Sequence, residues 1–108
     1  MIKITIKPMT VNRAYKGRRH VTDEYKAWKH DIAFLLPKHK PFKGRLRLDI
    51  EFGFSNVASD IDNPVKSLTD ALQNKYGFND KNVYTLVVNK VIVNKGEDYL
   101  KFQLTEIK

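Results

Sequence analysis

The sequence predicts a single α/β (α+β) domain, in which a mixed sheet of order β-α-β-α-β-β packs with two main helices. Three stretches, residues 2–6, 46–54 and 100–104, alternate apolar and polar side chains, as half-buried strands do. Two other stretches repeat apolar residues at helical spacing. With 108 residues, 42% of them hydrophobic, the chain can build one core and has no room for a second. We therefore expect residues 1–108 to form one domain.

The first half of the chain predicts a strand, a loop and a helix. Residues 2–6 form the strand, which Pro8 closes, and residues 12–20 follow as a basic loop. Thr22 is a suitable helix N-cap, with two acidic residues in the first turn where the helix dipole favours anions. Pro37 ends the helix. Its apolar residues recur at helical spacing: Tyr25, Trp28, Ile32, Leu35 and Leu36.

The second half begins with residues 46–54, the clearest strand, with one face buried and the other wet. Pro64 suits the first position of a helix capped by Asn63 or Asp62. Val65, Leu68, Ala71 and Leu72 place one side of that helix on the core, and Tyr76-Gly77 ends it.

The last part of the chain predicts two strands. Tyr84–Val93 is apolar on both alternating faces, which indicates a strand covered on both sides, by helices or by a partner subunit. Residues 94–97 are typical of a hairpin turn, which would join this strand to the final one.

Composition excludes several classes of protein. The chain has no cysteine, which rules out a disulfide scaffold, thiolate zinc sites and a cysteine nucleophile, and is compatible with a reducing cytoplasm. His20, His30 and His39 do not have the spacing of a zinc site. No apolar run reaches membrane-spanning length, so we expect a soluble, cytoplasmic protein that does not bind a membrane.

The charge balance favours an anionic partner. Twenty Lys and Arg residues against twelve Asp and Glu give a net charge of +8, which points to nucleic acid, although a generically basic domain is the alternative. The loop of residues 12–20 is the candidate contact, since its cations could follow a phosphate backbone while its tyrosine stacks on an unpaired base. The alternative is that residues 12–20 form a solvated loop that does not contact nucleic acid. The candidate DNA-binding residues are Asn12, Arg13, Tyr15, Lys16, Arg18 and Arg19.

Three aspartates form the candidate catalytic set. Asp60 comes just after a predicted strand, Asp62 at a predicted helix start, and Asp80 in the loop before the next strand. Mg²⁺ prefers such hard oxygen ligands and needs only a few carboxylates besides a substrate phosphate. Lys66 lies about one helical turn from Asp62, where its charge could stabilise a pentacoordinate phosphate. This pattern in a basic protein predicts a metal-dependent nuclease.

Each of these residues also has a structural interpretation. Asp62 or Asn63 could be an ordinary N-cap, and Asp80 a turn residue. Lys66 could pair with Asp70 four residues later on a solvated helix face.

The order of these residues resembles a known family. Asp60-Ile61-Asp62-Asn63-Pro64-Val65-Lys66, then Asp70-Ala71-Leu72, then Gly77-Phe78-Asn79-Asp80-Lys81-Asn82-Val83 is similar to the pattern of the RusA family of Holliday junction resolvases. The resemblance is strongest over residues 58–90. It extends more loosely to Asn12-Arg13-Ala14-Tyr15 and to the closing strands.

The resemblance implies a small homodimeric endonuclease that depends on Mg²⁺, or Mn²⁺, and uses no small-molecule cofactor. Such an enzyme resolves four-way DNA junctions by paired symmetric nicks in DNA recombination and repair, and is frequent in prophages. By position, Asp60, Asp62 and Asp80 would be the catalytic, metal-binding acids and Lys66 the essential cation. A two-fold junction suits a dimer because it presents two equivalent strands to two equivalent sites.

The chain departs from the family pattern at two points. Asn56-Val57-Ala58-Ser59 stands where the family often has arginines, so we expect the loop of residues 12–20 to make more of the DNA contact. Asn79 precedes Asp80 where the family often has a second acid. Two other functions stay open: a non-catalytic nucleic-acid-binding protein, and a metal-dependent nuclease that acts on RNA or on replication forks.

Overall fold

The computed structural model describes residues 1–16 and 20–108. In chain order its elements are strand β1 (Ile2–Ile4), helix α1 (Val11–Ala14), strands β2 (Tyr15–Lys16) and β3 (His20–Val21), helix α2 (Asp23–Leu35), strand β4 (Leu46–Phe54), helix α3 (Val65–Tyr76), a 3-10 turn (Asp80–Asn82), and strands β5 (Val83–Ile92) and β6 (Tyr99–Glu106). Within these residues, the main sheet has the order β1-β6-β4-β5, with β4 parallel to β5 and antiparallel to β6. The predicted mixed α/β domain is confirmed.

Strand β4 forms the centre of the core. The side chains at alternate positions, Leu46, Leu48, Ile50, Phe52 and Phe54, are all buried. They belong to one apolar cluster with buried side chains of α2 and α3, which include Trp28, Ile32, Leu68 and Leu72. Burial of this alternating face fixes the register of β4, because a slip by one residue would turn the apolar face to solvent. The strand has the bounds that the alternation predicted.

The predicted helix ends are confirmed where local chemistry determines them. The Thr22 hydroxyl accepts a hydrogen bond from the backbone N–H of Tyr25 at 3.1 Å and so caps α2. Leu36, the residue before Pro37, adopts an extended conformation, and α2 ends there. Gly77 ends α3 in the left-handed conformation, with φ of +72°.

The predicted hairpin between the last two strands is wrong. Glu97 N–H does donate to the Asn94 carbonyl at 3.0 Å, as in a tight turn. However, β5 and β6 do not pair with each other, because β4 lies between them and pairs with both. The chain therefore crosses over β4 after the turn. Local turn chemistry is the same for a hairpin and for such a crossover, so the sequence did not distinguish them.

Strand β5 is not covered on both sides within one chain. It is one of the two edge strands of the main sheet, and its side chains Tyr84, Leu86, Val91 and Ile92 are all exposed. The apolar side chains on both faces of β5 are therefore not explained by helices that cover the strand within the single chain. The alternative cover, a partner subunit, stays a prediction.

The described part of residues 12–20 is not simply a loop. Residues 11–14 form the short helix α1, because the Thr10 side chain accepts a hydrogen bond from the N–H of Arg13 and caps it. Tyr15–Lys16 then pairs with His20–Val21 in a small antiparallel ladder. Among the residues that the structure describes, no helix has the length and apolar character needed to cross a membrane.

The face of the sheet opposite the core carries a polar cluster. The Tyr99 hydroxyl donates a hydrogen bond of 2.6 Å to Glu51, whose carboxylate also lies 3.5 Å from Lys101 Nζ. The Tyr99 ring lies across Gly53 so closely that a Cβ at that position would collide with it. Gly53 therefore allows an aromatic ring to lie against the middle of the sheet.

Candidate active site

The site is organised around Lys66, on the first turn of α3. Its ammonium nitrogen lies 2.9 Å from Asp70 Oδ1 and 3.4 Å from Asp80 Oδ2. Asp70 is on the same helix one turn later, whereas Asp80 belongs to the turn after the helix. One cation thus joins the two halves of the sequence motif, residues 60–66 and 77–83.

Asp80 is held in place by its backbone. Its N–H donates a hydrogen bond of 2.7 Å to Gln73 Oε1 on α3, and the Asn79 side chain accepts from the N–H of Lys81 at 3.0 Å to cap the 3-10 turn. These contacts bring the chain back along α3 after Gly77. As a result, the Asp80 carboxylate points toward Lys66 near the start of the helix, although Asp80 follows its end.

Hydrogen bonding to Asp70 is the main cause that raises the pKa of Lys66 above its ordinary value. The charge of Asp70 adds to this effect and Asp80 contributes less. Lys66 is therefore protonated at neutral pH and offers a fixed positive charge. Tyr25, whose pKa is raised to about 12 chiefly by burial, lies close enough to feel the charge of Asp70.

The three aspartates are not gathered at one point. Because β4 and β5 are parallel, Asp60 and Asp62 follow the carboxyl end of β4, whereas Asp80 precedes the amino end of β5. Asp60 and Asp62 thus precede α3, whereas Asp80 follows it in the segment that turns back along the helix. Across residues 1–16 and 20–108, no group of three His, Asp or Glu side chains could hold a metal ion as positioned.

The loop that carries Asp60 is fixed by a cation that the sequence analysis missed. Lys90 of β5 donates hydrogen bonds to the carbonyls of Val57 at 2.8 Å and Ser59 at 2.5 Å. Both carbonyls lie just before Asp60, so Lys90 ties β5 to the start of the sequence motif at residues 60–66. The Asn56 side chain adds a local bond from the N–H of Ala58.

The predicted cap of α3 by Asp62 or Asn63 is wrong. Pro64 occupies the N-cap position without a side-chain cap, and the Asp62 carbonyl accepts from the N–H of Val65. Asn63 Oδ1 instead accepts a bond of 2.9 Å from the N–H of Val11, the first residue of α1. Its side chain reaches a segment 52 residues away and so satisfies a free N–H of another helix.

Buried Ser67 makes a second link between α3 and the N-terminal segment, since its hydroxyl donates to the Met9 carbonyl. The N-terminal segment that contains the candidate DNA-binding residues is thus joined directly to the helix that carries Lys66. This arrangement places α1 beside the start of α3.

The candidate DNA-binding residues have different environments. Asn12 and Lys16 are exposed, whereas Arg13 forms an ion pair of 2.5 Å with Glu24. Tyr15 is partly buried and packs edge-on against Tyr25, with ring centroids 5.7 Å apart. The other two predicted residues, Arg18 and Arg19, lie outside the described residues.

Asp70, Gln73 and Lys90 support the site, and their signals in the sequence differ. The spacing of Asp70 from Lys66 indicated a helical ion pair, but gave no sign that the same lysine also reaches Asp80. Nothing local marks Gln73 or Lys90, because their partners are backbone groups brought close only by the fold.

Comparison with known families gives one match. The family model described as Endodeoxyribonuclease RusA matches residues 4–99 of the 108-residue chain. That range contains every candidate catalytic residue and the segment from Asn12 to Arg19. A comparison with curated proteins finds no match.

Proposed function

We infer the function from the premise that the chain belongs to the RusA family of endodeoxyribonucleases, and so is a Holliday junction resolving endonuclease. Nucleases of this family depend in general on a divalent metal. We propose that this enzyme cuts four-way DNA junctions by paired symmetric nicks with Mg²⁺ as its metal, and that Mn²⁺ can replace it. The proposed catalytic residues are Asp60, Asp62, Asp80 and Lys66.

The contact between Lys66 and Asp80 carries this proposal. It joins a cation and an acid 14 residues apart, at the positions where the family pattern has its lysine and its third acid. An ordinary surface pair within one helix would explain Asp70 beside Lys66, but it would not explain why the chain folds back to bring Asp80 there. Surface ion pairs contribute little stability, so this arrangement has little structural value of its own.

The donor chemistry suits a hard divalent ion. Asp60 and Asp62 are exposed. Asp80 is also exposed, and only its Oδ2 atom faces Lys66. Carboxylate oxygens of this kind are the ligands that Mg²⁺ accepts together with water and phosphate. We therefore propose these three aspartates as the metal ligands, and this proposal requires them to lie closer together in the metal-bound enzyme than they do here.

Lys66 has a defined part in the proposed reaction. When bound, the metal would supply an activated water and polarise the scissile phosphate. Lys66 presents a positive charge, held by Asp70, to the negative charge that develops on the phosphoryl oxygens during in-line attack. Gln73 keeps Asp80 beside Lys66, and Lys90 keeps the loop of Asp60 in place.

DNA binding is assigned to the N-terminal segment beside α3. Asn12 and Lys16 are exposed for phosphate contacts, and the bond from Val11 to Asn63 holds α1 at the start of the catalytic motif. From the sequence, Arg18 and Arg19 extend this contact. Changing both to Ala should weaken junction binding and flatten its salt dependence, because each phosphate contact releases counterions. An unchanged salt slope would exclude this segment from the DNA contact.

We assign the homodimer interface to the edge strand β5. Its open edge has unpaired backbone groups, and a second copy could cover Leu86 and Ile92, which are 48% and 49% exposed. Two sites related by a two-fold axis would then cut two strands of one junction. Leu86→Arg should give a monomer in analytical ultracentrifugation, whereas the exposed Phe34→Arg on α2 should not. A dimer in both variants would exclude this edge.

A cleavage panel tests the function. Labelled four-way junction, replication fork, duplex and single strand are incubated with Mg²⁺ and either the wild type or Asp62→Asn. We expect the wild type to nick two opposite strands of the junction at symmetric positions, and the variant to bind it without cutting. Binding without Mg²⁺-dependent scission of any substrate by the wild type would instead favour a non-catalytic nucleic-acid-binding protein. Preferential cleavage of a fork would favour another branched substrate.

As its substrate is DNA, we expect the enzyme to act in the cytoplasm of a bacterial or phage-infected cell.

A further inference from the structure

A basic segment beside the end of α3, opposite the end that carries Lys66, has no role in the proposed reaction. This basic connector, which joins α2 to β4, consists of Lys38, Lys40, Lys43 and Arg45. All four side chains are exposed, and residues 37–45 contain no acidic residue. Within the part of the chain that the structure describes, none of these side chains forms an ion pair.

Three other lysines of the chain do have partners. Lys66 pairs with two aspartates, Lys101 with Glu51, and Lys90 bonds two carbonyls. The connector instead concentrates four positive charges in eight residues, and none of the four is in an ion pair with a carboxylate. Like charges at this density repel one another, and an anionic partner would relieve that repulsion.

The backbone of the connector is held in place by the rest of the fold. The His39 ring stacks on Phe42 with centroids 4.5 Å apart, and the Tyr76 hydroxyl donates a 2.6 Å bond to the Pro37 carbonyl. Lys43 N–H donates to the Glu106 carboxylate at 2.7 Å, so this carboxylate is bonded to the connector backbone and not to one of its ammonium groups. A segment fixed in this way loses less conformational entropy on binding than a mobile charged loop.

Arg45 at the end of the connector is also positioned. Its guanidinium lies 5.8 Å from the centre of the Tyr84 ring, and its carbonyl accepts from the N–H of Ile107 at 2.8 Å. The side chain keeps its charge exposed beside an aromatic ring, which is an arrangement suited to a phosphate contact.

The distance between Lys66 and the connector corresponds to a few base pairs of a junction arm. Tyr76, the last residue of α3, contacts the connector, and Lys66 lies ten residues earlier on the same helix. Ten helical residues span about 15 Å, and duplex DNA covers that distance in about four to five base pairs. The whole domain is 38 Å long, so an arm leaving the site can reach the connector within one molecule.

We propose that the basic connector binds the phosphate backbone of a junction arm, about four to five base pairs from the cleaved bond. This inference rests on the proposed function, because it assumes that the arm begins at the Lys66 site. The ligand is duplex DNA. It is a contact separate from that of the N-terminal segment.

The test compares two variants that each lack three exposed lysines. Lys38→Ala/Lys40→Ala/Lys43→Ala removes the connector charges, and Lys26→Ala/Lys29→Ala/Lys95→Ala removes the same charge elsewhere. Affinity for a four-way junction is measured over a range of salt in EDTA, where cleavage does not occur. The connector variant should reduce the slope of log K against log salt by about two to three, since each phosphate contact adds about 0.9. Thermal unfolding verifies that both variants fold.

A footprint locates the contact. Wild type and control should protect arm phosphates about four to five base pairs from the nick, and the connector variant should lose that protection. Equal slopes for the two variants, or persistent protection in the connector variant, would overturn the inference. If the wild type fails to cut junctions while the slope difference persists, the proposed function fails and the connector contact stands. If the wild type cuts but the slopes are equal, only the connector inference fails.

Discussion

The ammonium group of Lys66 lies 3.4 Å from Asp80 Oδ2, although Lys66 begins α3 and Asp80 follows its end. The chain turns back after Gly77, and Gln73 receives the backbone N–H of Asp80. This relationship connects the two halves of the sequence motif within one chain.

Asp70 should act as a positioning residue for Lys66. In Asp70→Asn the lysine loses its nearest charged partner at 2.9 Å, so its ammonium group is less well placed. We expect single-turnover junction cleavage to slow by roughly ten- to a hundredfold, as for a small misplacement of a catalytic group. Binding in EDTA should remain or tighten, because a negative charge is removed.

Two further variants distinguish the loss of Lys66 positioning from the mere removal of one negative charge. Asp31→Asn, on the exposed side of α2, makes the same charge change and should cut at the wild-type rate. Asp70→Glu, which keeps the carboxylate, should recover part of the lost rate. An Asp70→Asn enzyme as fast as the Asp31→Asn control would show that Asp70 does not position Lys66.

Lys90 should stabilise the loop that carries Asp60. Lys90→Met keeps the aliphatic stem but loses both hydrogen bonds to the carbonyls. We expect its free energy of unfolding, measured in urea, to be about 1.5 kcal/mol lower than that of the wild type. Cleavage should fall as well, because the loop of Asp60 is released from β5. Lys90→Arg should restore part of the lost stability and part of the lost cleavage rate. The surface change Lys95→Met serves as the control, and an identical urea midpoint in Lys90→Met and this control would contradict the role.

The hydrogen bond between Tyr99 and Glu51 should stabilise the fold by an amount that decreases in acid. The hydrogen bond from Tyr99 is the main cause that lowers the pKa of Glu51 below its ordinary 4.5, and the same bond raises the pKa of Tyr99 to about 12. A carboxyl with a lowered folded-state pKa contributes stability above its unfolded pKa and loses it as pH falls through the folded value.

The measurement is the unfolding free energy of the wild type and Tyr99→Phe from pH 7 down to acid conditions. At neutral pH the wild type should be more stable by about 1.5 to 3 kcal/mol, the range for a hydrogen bond to a charged group. This difference should shrink below pH 4.5. Tyr84→Phe, at an exposed ring, should show no such trend. A difference that stays constant in acid would exclude Glu51 as its source.

Asn63 should couple the DNA-binding segment to the catalytic helix. In Asn63→Ala the N–H of Val11 loses its acceptor, and we expect a loss of about 1 kcal/mol, as for a helix cap. Junction affinity in EDTA should also fall, because α1 carries Asn12 and Arg13. Asn74→Ala, at an exposed position of α3, provides the comparison. If both variants bind the junction equally well, the link has no part in DNA binding.

The features that the sequence predicted correctly depend on local patterns. Strand β4 has the predicted bounds because its alternation is long and one face is buried, and Thr22 and Gly77 act at helix ends through their own local geometry. The candidate catalytic residues rest on the order of a motif, which persists in the sequence whatever the fold, and their roles stay a prediction.

The features that the sequence missed depend on contacts between distant segments. A turn at residues 94–97 looks the same whether it joins neighbouring strands or crosses β4. Asn63 resembles a cap for its own helix, yet its partner is 52 residues away. Lys90 looks like a strand residue until the loop before Asp60 is brought beside it.

The most direct test of the account is cleavage of a synthetic four-way junction by Asp60→Asn with Mg²⁺ present. Asp60 lies just after the loop held by Lys90, and its exposed carboxylate is proposed to bind the metal. We predict that the variant binds the junction as tightly as the wild type or more tightly, and does not cut it. Cleavage by Asp60→Asn at the wild-type rate would contradict the proposed active site.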